Sequence, residues 1–107
     1  MYLIVKGRHL GIWSFPKGHS RRDEESLVCA KREIEEETGI CLEKEPLRRH
    51  RLKGTVYYVF DCNDLETNMC HTQDTNEIEE VRWVTREEMM GMRVNSGIKE
   101  FLQRKRI

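Results

Sequence analysis

Residues 15–40 read FPKGHSRRDEESLVCAKREIEEETGI, and they impose an order of strand, break, helix and stop. The apolar fragment IWSF, residues 12–15, reads as a short strand that Pro16 and Gly18 interrupt. Asp23 or Ser26 can cap the following helix, with Glu24 and Glu25 suited to its positive end. Leu27, Ala30 and Ile34 recur at helical spacing and form its inner face, and Gly39 is a natural terminator. The last turn is crowded. Glu35, Glu36 and Glu37 precede Thr38 and Gly39, with Glu33 just upstream. Carboxylates this close repel, and the negative end of the helix dipole lies beside them.

Residues three and four apart share a helix face, so Glu33, Glu36 and Glu37 fall within one arc while Glu35 points away. That arc borders the apolar stripe, which places the three carboxylates at the edge of the core. Arg32, four residues before Glu36, can orient it, yet one guanidinium cannot neutralise three carboxylates. Two readings stand at this point. One is a solvated acidic helix face. The other is a site for a divalent cation, since hard oxygen ligands suit magnesium or manganese, which also bridge phosphate oxygens.

The rest of the chain alternates strand and helix. MYLIV, residues 1–5, reads as a buried strand followed by a turn over 6–11. GTVYYVF, residues 54–60, and EEVRWV, residues 79–84, read as further strands, with a polar loop over 61–76 between them. Thr85 and Glu88 are spaced as a capping box for a short helix. A final helix is expected over 96–106, apolar at Ile98, Phe101 and Leu102 and basic at its end. The pattern predicts one α/β or α+β domain over residues 1–107.

Lysine plus arginine and aspartate plus glutamate each total 19, so net charge selects neither a polyanionic nor a basic partner. No apolar run approaches the roughly 18 residues of a membrane span, so no membrane partner is expected. No secretory pattern opens the chain, and Cys29, Cys41, Cys62 and Cys70 lack zinc-type spacing. They are expected to be reduced thiols in a cytoplasmic protein. His71 beside Cys70 lacks the further ligands a metal would need.

From Gly18, five residues lead to Glu24 and seven more to Arg32 and Glu33, then Ile34, Glu36, Glu37, Gly39 and Ile40. This resembles the Nudix box, the signature of hydrolases that cleave nucleoside diphosphates linked to another moiety, and every fixed position is filled. The resemblance implies an α/β/α sandwich with a mixed sheet, and magnesium or manganese held on the box helix. It implies Glu33, Glu36 and Glu37 as metal ligands and catalytic carboxylates, the Gly18 carbonyl as a further ligand, and Glu24 and Arg32 as residues orienting the carboxylates.

The flanks narrow the substrate class. WSFPKG before the box resembles both the mRNA-decapping enzymes and the diadenosine and diphosphoinositol polyphosphate hydrolases. NEIEEVRW, residues 76–83, is more similar to the decapping group, and there Glu77 matches a glutamate that reaches the metal site. Glu77 is accordingly the candidate general base. Lys17 is placed to meet a bridging phosphate, and Arg48, Arg49, His50, Arg51 and Lys53 could touch a polyphosphate or RNA backbone. The basic end of the last helix, with Lys99, Arg104, Lys105 and Arg106, is similar in position to a basic RNA-binding helix of decapping enzymes.

The resemblance covers residues 3–83, and MYLIV matches the second strand of the fold, so a domain lacking the usual first strand is expected. An unpaired edge follows, which predicts self-association as a homodimer. The expected function is metal-dependent hydrolysis of capped RNA or another nucleoside polyphosphate, with decapping favoured. A diadenosine or diphosphoinositol polyphosphate hydrolase is the first alternative. A non-catalytic nucleotide- or RNA-binding module is the second.

Overall fold

A computed structural model describes residues 1–17, 21–52, 54–61, 72 and 75–104. The order is β1 (Tyr2–Gly7), β2 (Trp13–Ser14), α1 (Ser26–Thr38), β3 (Arg48–Leu52), β4 (Thr55–Val59), β5 (Ile78–Val84), α2 (Arg86–Met90) and α3 (Ser96–Gln103). The expected loop over 61–76 lies mostly outside the described residues, as do Cys62, Cys70, His71, Lys105 and Arg106.

β1 is the centre of a three-stranded sheet ordered β2-β1-β5. It pairs antiparallel with β2 through Val5–Ser14 and with β5 from Tyr2–Val84 onward. Consecutive strand residues face opposite sides of a sheet. Ile4 and Val5 are both essentially unexposed, so both faces of β1 are covered. The strand runs two residues beyond the expected 1–5, and the turn begins only after Gly7. The ladders are antiparallel, and the parallel component among the described residues is a single bridge from Trp13 to Val94.

β3 and β4 form a separate antiparallel hairpin, turning at Gly54 with φ 78°. Residues 48–52 are not among the expected strands, because RRHRL shows no apolar alternation. Pairing supplies what the pattern lacks. Arg48 lies opposite Val59, Arg49 opposite Tyr58 and His50 opposite Tyr57, so a strong strand former partners each polar residue.

The main core lies between the three-stranded sheet and the two C-terminal helices. Ile4, Trp13, Val84, Met89, Val94, Ile98 and Phe101 cluster there. Thr85 and Glu88 close the expected capping box on α2, and the Asn95 side chain caps α3 through the amide of Ile98 at 3.0 Å. α3 ends at Gln103, three residues short of the expected 106, and Arg104 is extended.

The α1 side is packed differently. Leu27, Ala30 and Ile34, expected as its inner face, are only partly buried; Cys29, Glu37 and Thr38 are the buried residues. A cavity of about 710 Å³ lies along the helix, and Ala30 and Ile34 line it. α1 touches β4 and β5, each of which has one edge unpaired by any strand among the described residues. β1 itself is flanked on both sides, and the outer strands of the trio are β2 and β5.

Candidate active site

The C-terminal half of α1 presents the carboxylates, and the helix end fixes where they sit. Gly39 adopts φ 78° and donates its amide to the Glu35 carbonyl at 2.9 Å, the left-handed stop that glycine accommodates at little cost. Thr38, fully buried, donates its hydroxyl to the Ile34 carbonyl at 2.6 Å and accepts the Ile40 amide. The last turn is thus held on both sides. At its start the helix is capped by neither candidate. Glu25 occupies the cap without a side-chain bond, Asp23 lies outside the helix at φ 65°, and Ser26 bonds its hydroxyl to that of Tyr58.

Arg32 is the hub of the acidic face. Its Nε and Nη2 grip Glu24 at 2.8 and 2.9 Å, and its Nη1 donates to Glu33 at 2.7 Å and to both oxygens of Glu36 at 3.2 Å. The side chains of Arg32, Glu24 and Glu33 are 18%, 10% and 12% exposed, so these contacts work in a partly desolvated setting. The bidentate bond from Arg32, reinforced by the Arg21 amide, holds the Glu24 carboxyl down at about 2. Glu24 in turn raises Arg32 well above its ordinary range, so the guanidinium stays charged. Arg21 adds a second cation 3.4 Å from Glu36. Sequence reasoning had not singled out Arg21, because nothing in its spacing separates it from Arg22.

Glu37 is turned elsewhere. It is 8% exposed and accepts the Lys17 amide at 2.8 Å, which ties the helix end to the segment following β2. Glu33 and Glu36 therefore meet at one guanidinium nitrogen, while Glu37 is anchored by the Lys17 amide. Among the described residues no group of three potential metal ligands converges on one point. The donor chemistry still fits a hard divalent cation: three carboxylates at i, i+3 and i+4, two already held together. Gly18 lies outside the described residues.

The remaining candidates fall in three places. Glu77 is exposed in the turn before β5, where its carbonyl accepts the Arg8 amide at 2.8 Å. Arg48 and His50 line the large cavity, and so do Lys17 and Glu33. Arg51 is exposed with Arg49 beside a smaller pocket of about 260 Å³, and Lys53 lies outside the described residues.

Residues 2–105 match the NUDIX domain. The chain belongs to the Nudix family. It is 29% identical over 105 residues to the m7GpppN-mRNA hydrolase of Saccharomyces cerevisiae, covering 94% of this chain and 11% of that one. It is 53% identical over 54 residues to an mRNA-decapping protein of African swine fever virus, covering 50% of this chain and 22% of that one. The chain thus spans roughly a tenth to a quarter of the length of the curated relatives it matches. Its fold is similar to a crystal structure of a Caenorhabditis elegans Ap4A hydrolase binary complex, at TM-score 0.73 and 18% identity, covering 94% of this chain and 80% of that one. The Nudix fold expected from the box is therefore present, with its box helix as α1. No helix among the described residues is long and apolar enough to cross a membrane.

Proposed function

We propose that this Nudix domain is a metal-dependent pyrophosphohydrolase of the mRNA-decapping type. One observation carries the reading: similarity to the yeast mRNA hydrolase extends over 94% of the chain, far beyond the box that all pyrophosphate chemistries share. Glu33, Glu36 and Glu37 hold magnesium or manganese, with the Gly18 carbonyl as a further ligand. When bound, the ion neutralises the pyrophosphate bridge and polarises the attacked phosphorus. Arg32, anchored by Glu24, orients Glu33 and Glu36. A carboxylate, Glu77 or one of the helix glutamates, takes the proton from the attacking water. Lys17 meets a phosphate of the bridge.

The RNA body is a long polyanion, and basic residues lie on two elements in contact, β3 and α3. Arg49 and Arg51 on the first and Lys99 on the second are exposed, as is Arg104 just past the second. They supply sequence-independent phosphate contacts. Hydrolysis of capped RNA, diadenosine tetraphosphate and diphosphoinositol phosphate at equal magnesium tests the assignment. Capped RNA should turn over fastest, and its turnover should weaken steeply with salt as counterion release is lost. Faster turnover of either small molecule, with no gain from RNA length, moves the domain to a small-molecule hydrolase.

A further inference from the structure

The pairing of β1 with β5 is regular from Tyr2–Val84 to Lys6–Glu80 and then shifts by one residue. Gly7 lies opposite Ile78, and Glu79 is the extra residue. A bulge of this kind bends the strand that carries it and re-aims neighbouring side chains. Here it falls two residues after Glu77. The end of β1 holds the bulged segment at three points. The Lys6 ammonium lies 3.5 Å from the Glu79 carboxylate. The Arg8 amide donates to the Glu77 carbonyl at 2.8 Å, and Arg8 Nε donates to the Thr75 carbonyl, also at 2.8 Å. The turn that presents Arg8 has bonds of its own. Gly7 donates to the Ile12 carbonyl at 3.0 Å, and Gly11 donates to the Gly7 carbonyl at 2.9 Å. Arg8 thus grips two carbonyls of the turn before β5 from a hairpin 67 residues away along the chain. Thr75, Asn76 and Glu77 are all exposed, so burial does little to hold that turn.

We propose that Arg8 is a positioning residue for hydrolysis: its bond to Thr75 fixes the turn over 75–77, and through that turn the direction of the Glu77 carboxylate. The inference deepens the hydrolase reading and rests on Glu77 as the general base. A base must lie within hydrogen-bond reach of the proton it takes, and small misplacements of a reacting group are costly. An exposed turn after a long polar segment is a poor support for such a group unless side chains tie it down. The pairing of β1 with β5 accounts for the Arg8 amide bond. The guanidinium bond to Thr75 is additional, and it reaches past Glu77 to the far side of the turn. A bond that only stabilised the fold would act equally whatever side chain stands at position 77. A bond that positions Glu77 would not.

The test is a double-mutant cycle on the full chain, read by hydrolysis of cap-labelled RNA in magnesium. Arg8→Ala removes the side-chain bond and leaves the amide in place. It should lower kcat about three- to tenfold, the scale of one exposed hydrogen bond from a charged donor, with KM nearly unchanged. Arg8→Lys, which can still donate to the Thr75 carbonyl, should recover part of the loss. On a Glu77→Gln background, Arg8→Ala should change kcat by about twofold at most, because residues that act as one unit are not additive. An equal loss on both backgrounds would overturn the proposal and leave Arg8 a stabiliser of the fold. Native turnover in Glu77→Gln would overturn it as well, by removing the base that Arg8 positions. Amide exchange at position 8, followed by NMR, reads the bond to the Glu77 carbonyl without any catalysis. It should be faster in Arg8→Ala and near native in Arg8→Lys, and unchanged exchange in Arg8→Ala would overturn the clamp. The two readings fail separately. Hydrolysis with additive losses removes the role of Arg8 and keeps the enzyme. Absence of hydrolysis of any pyrophosphate substrate removes the hydrolase reading, and with it a role in turnover, while exchange still decides whether Arg8 holds the turn.

Discussion

Arg32 answers part of the question that four glutamates near one helix end pose. It binds Glu24, Glu33 and Glu36 at once, so repulsion on the acidic face is compensated by one guanidinium before any metal is considered. This makes the orienting role of Glu24 measurable. Its carboxyl titrates near 2 in the folded chain against an ordinary 4.5. Between those values the unfolded chain binds a proton that the folded chain does not, so stability falls as pH drops through the window. Glu24→Gln should be less stable at neutral pH and show a flatter loss of stability between pH 4.5 and 2. Parallel acid-unfolding curves for the two proteins would remove the Glu24–Arg32 pair from the account. Glu77 makes the contrasting case, an exposed carboxylate in the turn before β5. If it is the base, Glu77→Gln should lower turnover about a hundredfold with little change in substrate affinity. Glu79→Gln and Glu80→Gln should be milder. Equal losses at all three positions would contradict the assignment.

α3 shows how an element can be completed by a residue that no helix rule identifies. It ends without a capping glycine or a basic last turn. Arg86, at the start of α2, donates to the carbonyls of Phe101 and Leu102 at 3.1 and 2.8 Å, and its guanidinium carbon lies 4.9 Å from the Phe101 ring centre. Arg86→Ala should cost about 1–3 kcal/mol, the scale of hydrogen bonds from a charged donor plus a cation–π contact. Arg86→Lys should recover only part, because a point charge cannot fork across several carbonyls. Urea unfolding midpoints measure both. An unchanged midpoint in Arg86→Ala would show that α3 ends unaided. The same contrast explains what was legible in the sequence. The α2 capping box and the Gly39 stop are local chemistry, and they stand where the residues place them. The β3 strand depends on partners three to eleven residues away along the chain, so RRHRL could not disclose it alone. The buried position of Glu37 was likewise hidden, because it is set by the amide of Lys17, twenty residues away.

For the molecule as a whole, the alternation of elements and the box announced a Nudix domain, and the sheet arrangement did not follow from either. Splitting the strands into a trio and a hairpin leaves the space beside α1, and that space has no signature in hydrophobic periodicity. The acidic site was legible because its residues lie within one helix. Its relation to Lys17, Arg48 and His50 was not, because the hairpin and the chain after β2 bring those residues to one wall. The central claim is that the carboxylates of α1 hydrolyse the pyrophosphate bridge of a capped RNA. The measurement that tests it most directly is release of label from cap-labelled RNA in magnesium or manganese, by the native chain and by Glu36→Gln and Glu37→Gln. The account predicts metal-dependent release by the native chain and a loss of about a hundredfold or more in each variant. Release that persists at the native rate in both variants, or that is unchanged by chelation, would contradict it.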